Sequence, residues 1–148
     1  MALKEKLQED WKQALKAKDK FKANTISMAR SAILLVEKTD GRVLDDDEVI
    51  GILSKEIKQK RDSICEFEKG NRQDLIDKEK AEIDILLSYL PQQLTKEEVS
   101  EIVSKAAYEV GANSIKDMGK VMSAVMPKVK GRADGKLVSQ IVKEYLNK

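Results

Sequence analysis

Apolar residues return every three or four positions along nearly the whole chain, the spacing of helices with one buried face. Leu3, Leu7, Trp11, Ala14 and Leu15 predict a first helix over about residues 2–18. Phe21, Ile26, Ala29, Ile33 and Val36 predict a second over about 20–38, with a turn at Thr39-Asp40-Gly41-Arg42. Asp45, with Glu48 three residues on, reads as a capping box opening a third helix. Val49, Ile50, Leu53, Ile57, Ile64 and Phe67 carry that helix to Gly70, read as the residue past its end. Leu75, Ile76, Ile83, Leu86, Leu87 and Leu90 predict a fourth helix from after Asn71 to Leu90, where Pro91 stops it.

Pro91-Gln92-Gln93-Leu94 is the expected domain boundary. Thr95-Lys96-Glu97-Glu98 is a capping box, and Val99, Ile102, Val103, Ala106 and Val110 predict a fifth helix that Gly111 closes. Ser114 and Asp117 are expected to cap a sixth, with Ile115, Met118, Val121, Met122 and Val125 inward and Pro127 at its end. Residues 128–136 read as a linker, with Asp134 as N-cap of a last helix whose inner face holds Leu137, Val138, Ile141, Val142, Tyr145 and Leu146. The expectation is an all-α protein: a four-helix N-terminal unit over 1–90, followed by a smaller three-helix C-terminal domain over 91–148.

Composition removes several classes of function. Seven Gly, two Pro and six aromatic residues are too few for an all-β sandwich or barrel. With no histidine, His-based triads, His–metal sites and His acid–base chemistry are excluded. The one cysteine, Cys65, allows no intrachain disulfide and no Cys-based zinc site. No stretch approaches the roughly 18 apolar residues of a span, so no membrane partner is expected. The opening Met-Ala-Leu-Lys-Glu-Lys-Leu is amphipathic, holds an acid, Glu5, and lacks the pattern of a signal or transit peptide, which points to the cytoplasm.

Charge is uneven. Residues 1–90 hold 18 bases and 19 acids, whereas residues 114–148 hold eight bases and three acids, a net of +5. The excess gathers around Lys128, Lys130, Arg132 and Lys136, beside Gly131 and Gly135 at a predicted helix start. Free backbone N–H groups, a helix dipole and glycines that permit close approach favour an anion there, and spaced bases suit a sugar-phosphate backbone. A soluble turn between two caps would look the same. The loop is not a P-loop, since Gly-x4-Gly-Lys-Ser/Thr is absent.

Other clusters have plainer readings. Lys55, Lys58, Lys60 and Arg61 interleave with acids and suit ion pairs along one helix. Met118, Met122 and Met126 suit core packing. Cys65 lies beside Glu66 and Glu68, which oppose thiolate formation. Asp74, Asp77, Glu79, Glu82 and Asp84 read as a solvated face. No catalytic residue, metal ligand or cofactor is expected.

Four segments carry a resemblance. Ser54-Lys55-Glu56-Ile57-Lys58-Gln59-Lys60-Arg61, Tyr89-Leu90-Pro91-Gln92-Gln93-Leu94, Asp117-Met118-Gly119-Lys120-Val121-Met122 and Pro127-Lys128-Val129-Lys130-Gly131-Arg132-Ala133-Asp134-Gly135-Lys136 resemble signature segments of the GatB/YqeY family, in order and spacing. Members are similar to the C-terminal helical region of the B subunit of the tRNA-dependent amidotransferase, a carbon–nitrogen ligase that uses glutamine as nitrogen donor. The resemblance implies tRNA as a partner, together with amidotransferase or aminoacyl-tRNA synthetase proteins. It implies phosphate contacts from Lys128, Lys130, Arg132 and Lys136, support from Lys120, and backbone access at Gly131 and Gly135. It brings no ATP site and no glutaminase, so amide formation by this chain alone is not expected. The alternatives are a component of such a ligase and a protein-interaction module without RNA binding.

Overall fold

The computed structural model describes residues 2–147 and divides the chain into two compact units, Met1–Leu90 and Pro91–Lys148. Every regular element among the described residues is helical: α1 (Leu3–Lys16), α2 (Lys20–Asp40), α3 (Asp46–Lys69) and α4 (Gln73–Leu87) in the first unit, α5 (Lys96–Glu109), a single 3-10 turn (Ile115–Asp117), α6 (Met118–Val129) and α7 (Gly135–Leu146) in the second. No helix is long and apolar enough to cross a membrane, among the described residues.

The first unit packs α1 against α2 and α3 against α4, and the inner faces meet in one core. Leu7, Ile26, Val49 and Leu53 have no exposed surface, and Ile33, Leu44, Ile57, Leu86 and Tyr89 close around them. Burial of large side chains at about 1.5–3 kcal/mol each holds the four helices together. Polar ties fix its margins. The Tyr89 hydroxyl donates to Asp10 Oδ2 at 2.6 Å, joining α1 to the chain after α4. Glu37 accepts from Lys4 Nζ at 2.5 Å and from the Leu44 N–H at 2.9 Å, so α2 holds both α1 and the strap that follows Gly41. Those donors, Lys4 first, hold the Glu37 carboxyl below the usual carboxylate range.

Several boundaries and faces depart from the sequence expectation. Leu15 and Phe21 were expected inward but are 50% and 39% exposed. The inner stripe of α1 runs through Leu3, Leu7, Trp11 and Ala14, and Leu15 lies one residue, about 100°, beyond it. The expected turn at 39–42 begins two residues later: Thr39 and Asp40 extend α2, and Gly41 ends it with φ +67°. At α3, Asp45 caps Glu48 N at 2.9 Å, and the Glu48 carboxylate is held chiefly by Arg42, at 2.8 Å. Gly70 keeps φ −95°, and Asn71 supplies the left-handed residue with φ +54°.

The second unit is built on small apolar side chains. Val99, Val103, Ala106, Ala107, Val121, Val125, Val138 and Val142 have no exposed surface. The capping box at Thr95 is complete: Thr95 Oγ1 accepts from Glu98 N, and Glu98 Oε1 accepts from Thr95 N, both at 3.1 Å. Ser114 precedes the 3-10 turn, and Asp117 ends that turn at the N-cap position of α6, but neither side chain makes a capping bond; Asp117 Oδ2 accepts instead from Asn113 N at 3.1 Å. Pro127 does not end α6, which runs two residues further to Val129. The last turn forgoes one hydrogen bond at the proline but puts Val129, 1% exposed, into the core. Met126 leaves the expected methionine stripe and is 40% exposed.

Candidate nucleic-acid interface

The end of α6 and the start of α7 consume much of the expected linker. Lys128 lies in the last turn of α6 and Lys136 in the first turn of α7, leaving a turn of five residues, 130–134. Val129 O accepts from both Arg132 N, at 2.8 Å, and Ala133 N, at 3.1 Å. Gly131 enables this reversal with φ +74°. Asp134 caps α7, accepting from Lys136 N at 3.2 Å.

The turn is also tied from the side. Gln93 Nε2 donates to Gly131 O at 2.8 Å and to Pro91 O at 2.9 Å, and Leu94 N donates to Arg132 O at 2.7 Å. The Arg132 guanidinium reaches Gln92 O only at 3.5 Å, a weak contact. Two separate segments of the sequence, 91–94 and 131–134, thus form one hydrogen-bonded unit. A residue with both carbonyl and amide groups fixed in this way presents its side chain without further loss of backbone entropy.

The expected site residues divide into three groups. Lys128, Lys130 and Lys136 are exposed around the turn, and Arg132 is half-buried beside them. Lys120 is exposed but stands eight residues before Lys128 on α6, about 12 Å along the axis, outside the turn. Gly131 is buried, with its carbonyl bonded to Gln93, so it supplies the turn's left-handed residue and not the backbone access expected of it. Gly135 fits that expectation better: its φ is not positive, and a Cβ built on it meets nothing within 4 Å. The N–H groups of Arg132, Ala133 and Lys136 are already used inside the turn, which leaves the side chains as the main source of positive charge. Lys128 Nζ lies 3.8 Å from Glu109 Oε2, both side chains exposed, an ion pair that holds little.

The remaining clusters resolve differently. The strongest pair of Lys60 does not run along α3. Its Nζ reaches Glu82 Oε2 on α4 at 2.5 Å, with Glu79 at 3.8 Å, and the Lys60 and Glu82 side chains are only 12% and 7% exposed. Glu82 therefore leaves the solvated face predicted for it. Cys65 is free and exposed. No group of three or more Asp, Glu or Cys side chains is placed to hold a metal ion, among the described residues.

Comparison with known proteins identifies relatives. The family described as Yqey-like protein matches residues 4–146. "Altered inheritance of mitochondria protein 41, mitochondrial" of Pyrenophora tritici-repentis is 35% identical over 144 residues, covering 95% of this chain and 79% of that protein. The protein of the same name in Vanderwaltozyma polyspora is 32% identical over 150 residues, 95% of this chain and 80% of its own. In Lachancea thermotolerans the match is 41% over 87 residues, 58% of this chain and 46% of the relative. These relatives are named as mitochondrial, which overturns the cytoplasmic placement. A lone cysteine is compatible with any reducing compartment and does not choose among them.

Proposed function

Because the chain belongs to the Yqey-like protein family, we propose that it is an accessory helical module that binds tRNA phosphates at the turn between α6 and α7. The observation that carries this reading is the clamp on that turn. Gln93 and Leu94 fix the carbonyls of Gly131 and Arg132, so Lys128, Lys130, Arg132 and Lys136 rise from a backbone that is already ordered. Preorganised cations lose less entropy on meeting a phosphate chain than cations on a mobile loop. Lys130 and Arg132 flank the buried Gly131 and are the central pair. Gly135 leaves open space at the head of α7, where a phosphate oxygen would approach.

Filter binding of the full chain to bulk tRNA across about 50–200 mM salt tests the reading, because each phosphate contact adds roughly 0.7–0.9 to the logarithmic salt slope. Lys130→Ala with Arg132→Ala should flatten the slope by about 1.4–1.8. An unchanged slope and affinity would return the turn to a purely structural role. The second reading, a protein-interaction module, is favoured by a cavity of about 360 Å³ in the first unit, whose lining mixes Leu34, Val43 and Leu44 with Lys4, Glu5 and Arg30. Leu34 and Val43 are 53% and 78% exposed at this cavity.

A further inference from the structure

The most concentrated free positive charge in the chain lies outside the tail. Residues 12–22 contain Lys12, Lys16, Lys18, Lys20 and Lys22 against Asp19 alone, a net of +4. The net of −1 for residues 1–90 conceals this, because most acids lie farther along the unit. All five lysines are exposed, and none makes an ion pair among the described residues. The lone acid is occupied: Asp19 Oδ1 caps α2 by accepting from Lys22 N at 3.1 Å.

The corner between α1 and α2 is firm. Lys18 N donates to Leu15 O at 3.1 Å, and Asp19 N donates to Ala14 O at 2.9 Å. Lys18 sits in the left-handed region with φ +59°. The other left-handed positions of the described chain are Gly41, Gly111 and Gly131, which take that conformation without strain, and Asn71, which tolerates it. Only here does a long cation occupy such a position, at a cost in backbone energy that its charge alone does not return to the fold. Phe21 stands between Lys20 and Lys22, 39% exposed in the first turn of α2.

We infer that the α1–α2 corner is a second RNA contact, in which Lys12, Lys16, Lys18, Lys20 and Lys22 meet the phosphates of a single-stranded stretch and the Phe21 ring stacks on a base. Cations around an exposed aromatic ring are the elements of sequence-tolerant single-strand binding. An anionic lipid surface would draw the same lysines, but an interfacial helix buries a continuous apolar face, and Leu15 and Phe21 are two isolated side chains on separate helices. The inference shares the RNA reading of the tail and none of its residues.

Three variants of the full chain test it, each checked by thermal unfolding. Lys12→Gln/Lys16→Gln/Lys20→Gln/Lys22→Gln should flatten the salt slope for unstructured RNA by roughly 2–3, at about 0.7 per contact. Lys18→Gly should keep or raise the melting temperature yet weaken RNA binding. Phe21→Leu retains an apolar side chain but removes the ring, and should weaken binding roughly five- to hundredfold. Lys78→Gln/Lys80→Gln on α4 controls for net charge and should change little. The same variants are then offered vesicles of phosphatidylserine and phosphatidylcholine. Loss of vesicle binding with unchanged RNA binding would overturn the inference in favour of a lipid surface, and unchanged RNA binding in all three variants with no vesicle binding would overturn it outright. The tail variant, Lys130→Ala/Arg132→Ala, separates the two readings. A corner effect without a tail effect upholds this inference and defeats the tail proposal, and the reverse result does the opposite.

Discussion

The Lys60 ammonium and the Glu82 carboxylate are nearly buried between α3 and α4, with Glu79 close by. Desolvating both charges is expensive, and their attraction recovers that loss only while both are present. Lys60→Met should therefore cost about 3–5 kcal/mol in urea unfolding by stranding Glu82, whereas Lys60→Met with Glu82→Leu should return to within about 1–2 kcal/mol of the parent. A double variant no better than the single one would show that the pair contributes net stability of its own. The sequence made Lys60 and Glu82 legible only as members of charged helix faces. Their meeting depends on how α3 turns toward α4, and spacing within either helix carries no trace of that. Tyr89 gives a second test. Burial first, then its bond to Asp10, push the phenol well above its ordinary value. A raised folded value means that Tyr89 contributes fully below the unfolded pKa of about 10 and loses that contribution as pH rises above it. Stability of the parent should accordingly fall more steeply above pH ~10 than that of Tyr89→Phe. Equal alkaline slopes in denaturant titrations would contradict this account.

At the scale of elements, the two glycines of the α6–α7 turn looked alike in the sequence, and backbone geometry separates them. Gly131 has φ +74°, and Gly131→Ala should cost about 1–2 kcal/mol in thermal or urea unfolding. Gly135 has no positive φ, and an added Cβ finds open space, so Gly135→Ala should hold or gain stability by up to about 1 kcal/mol. If tRNA approaches the head of α7, the same substitution should weaken binding while the fold is unharmed. A Gly135→Ala protein that binds as the parent does would remove Gly135 from the interface. Helix existence was readable throughout, because Leu, Ile and Val recur at helical spacing, and Thr95 with Glu98 announced its cap. Helix ends were harder to read. Pro127 is a stop signal locally, yet Val129 has a core position to fill, and packing prevails over the proline.

For the whole molecule, the question is where the chain yields first. Two segments between helices compete: 39–44, within the first unit, and 90–92, where α4 has ended and the second unit begins. The first is tied at several points. Gly41 N donates to Glu37 O at 2.8 Å, Leu44 N donates to the Glu37 carboxylate, Arg42 bonds Glu48, and Leu44 is 5% exposed. A protease needs an extended stretch of backbone, and pulling 39–44 into that shape would extract Leu44 from the core and break the Glu37 bonds. From Gln93 onward the second segment is also fastened, through Gly131 and Arg132. Tyr89, 5% exposed and bonded to Asp10, still anchors the chain to the first core, so the unfastened stretch is the half-buried Leu90 with the exposed Pro91 and Gln92. Limited proteolysis with a broad-specificity enzyme should therefore cut first at 90–92 and give two fragments, near 90 and near 57 residues, that persist while later cuts accumulate. The core of each fragment lies wholly on its own side of that cut. Early cleavage at 39–44 would contradict this order, and rapid loss of the smaller fragment would show that the second unit depends on the first for its fold. Its valine- and alanine-lined core would then be too small to stand alone.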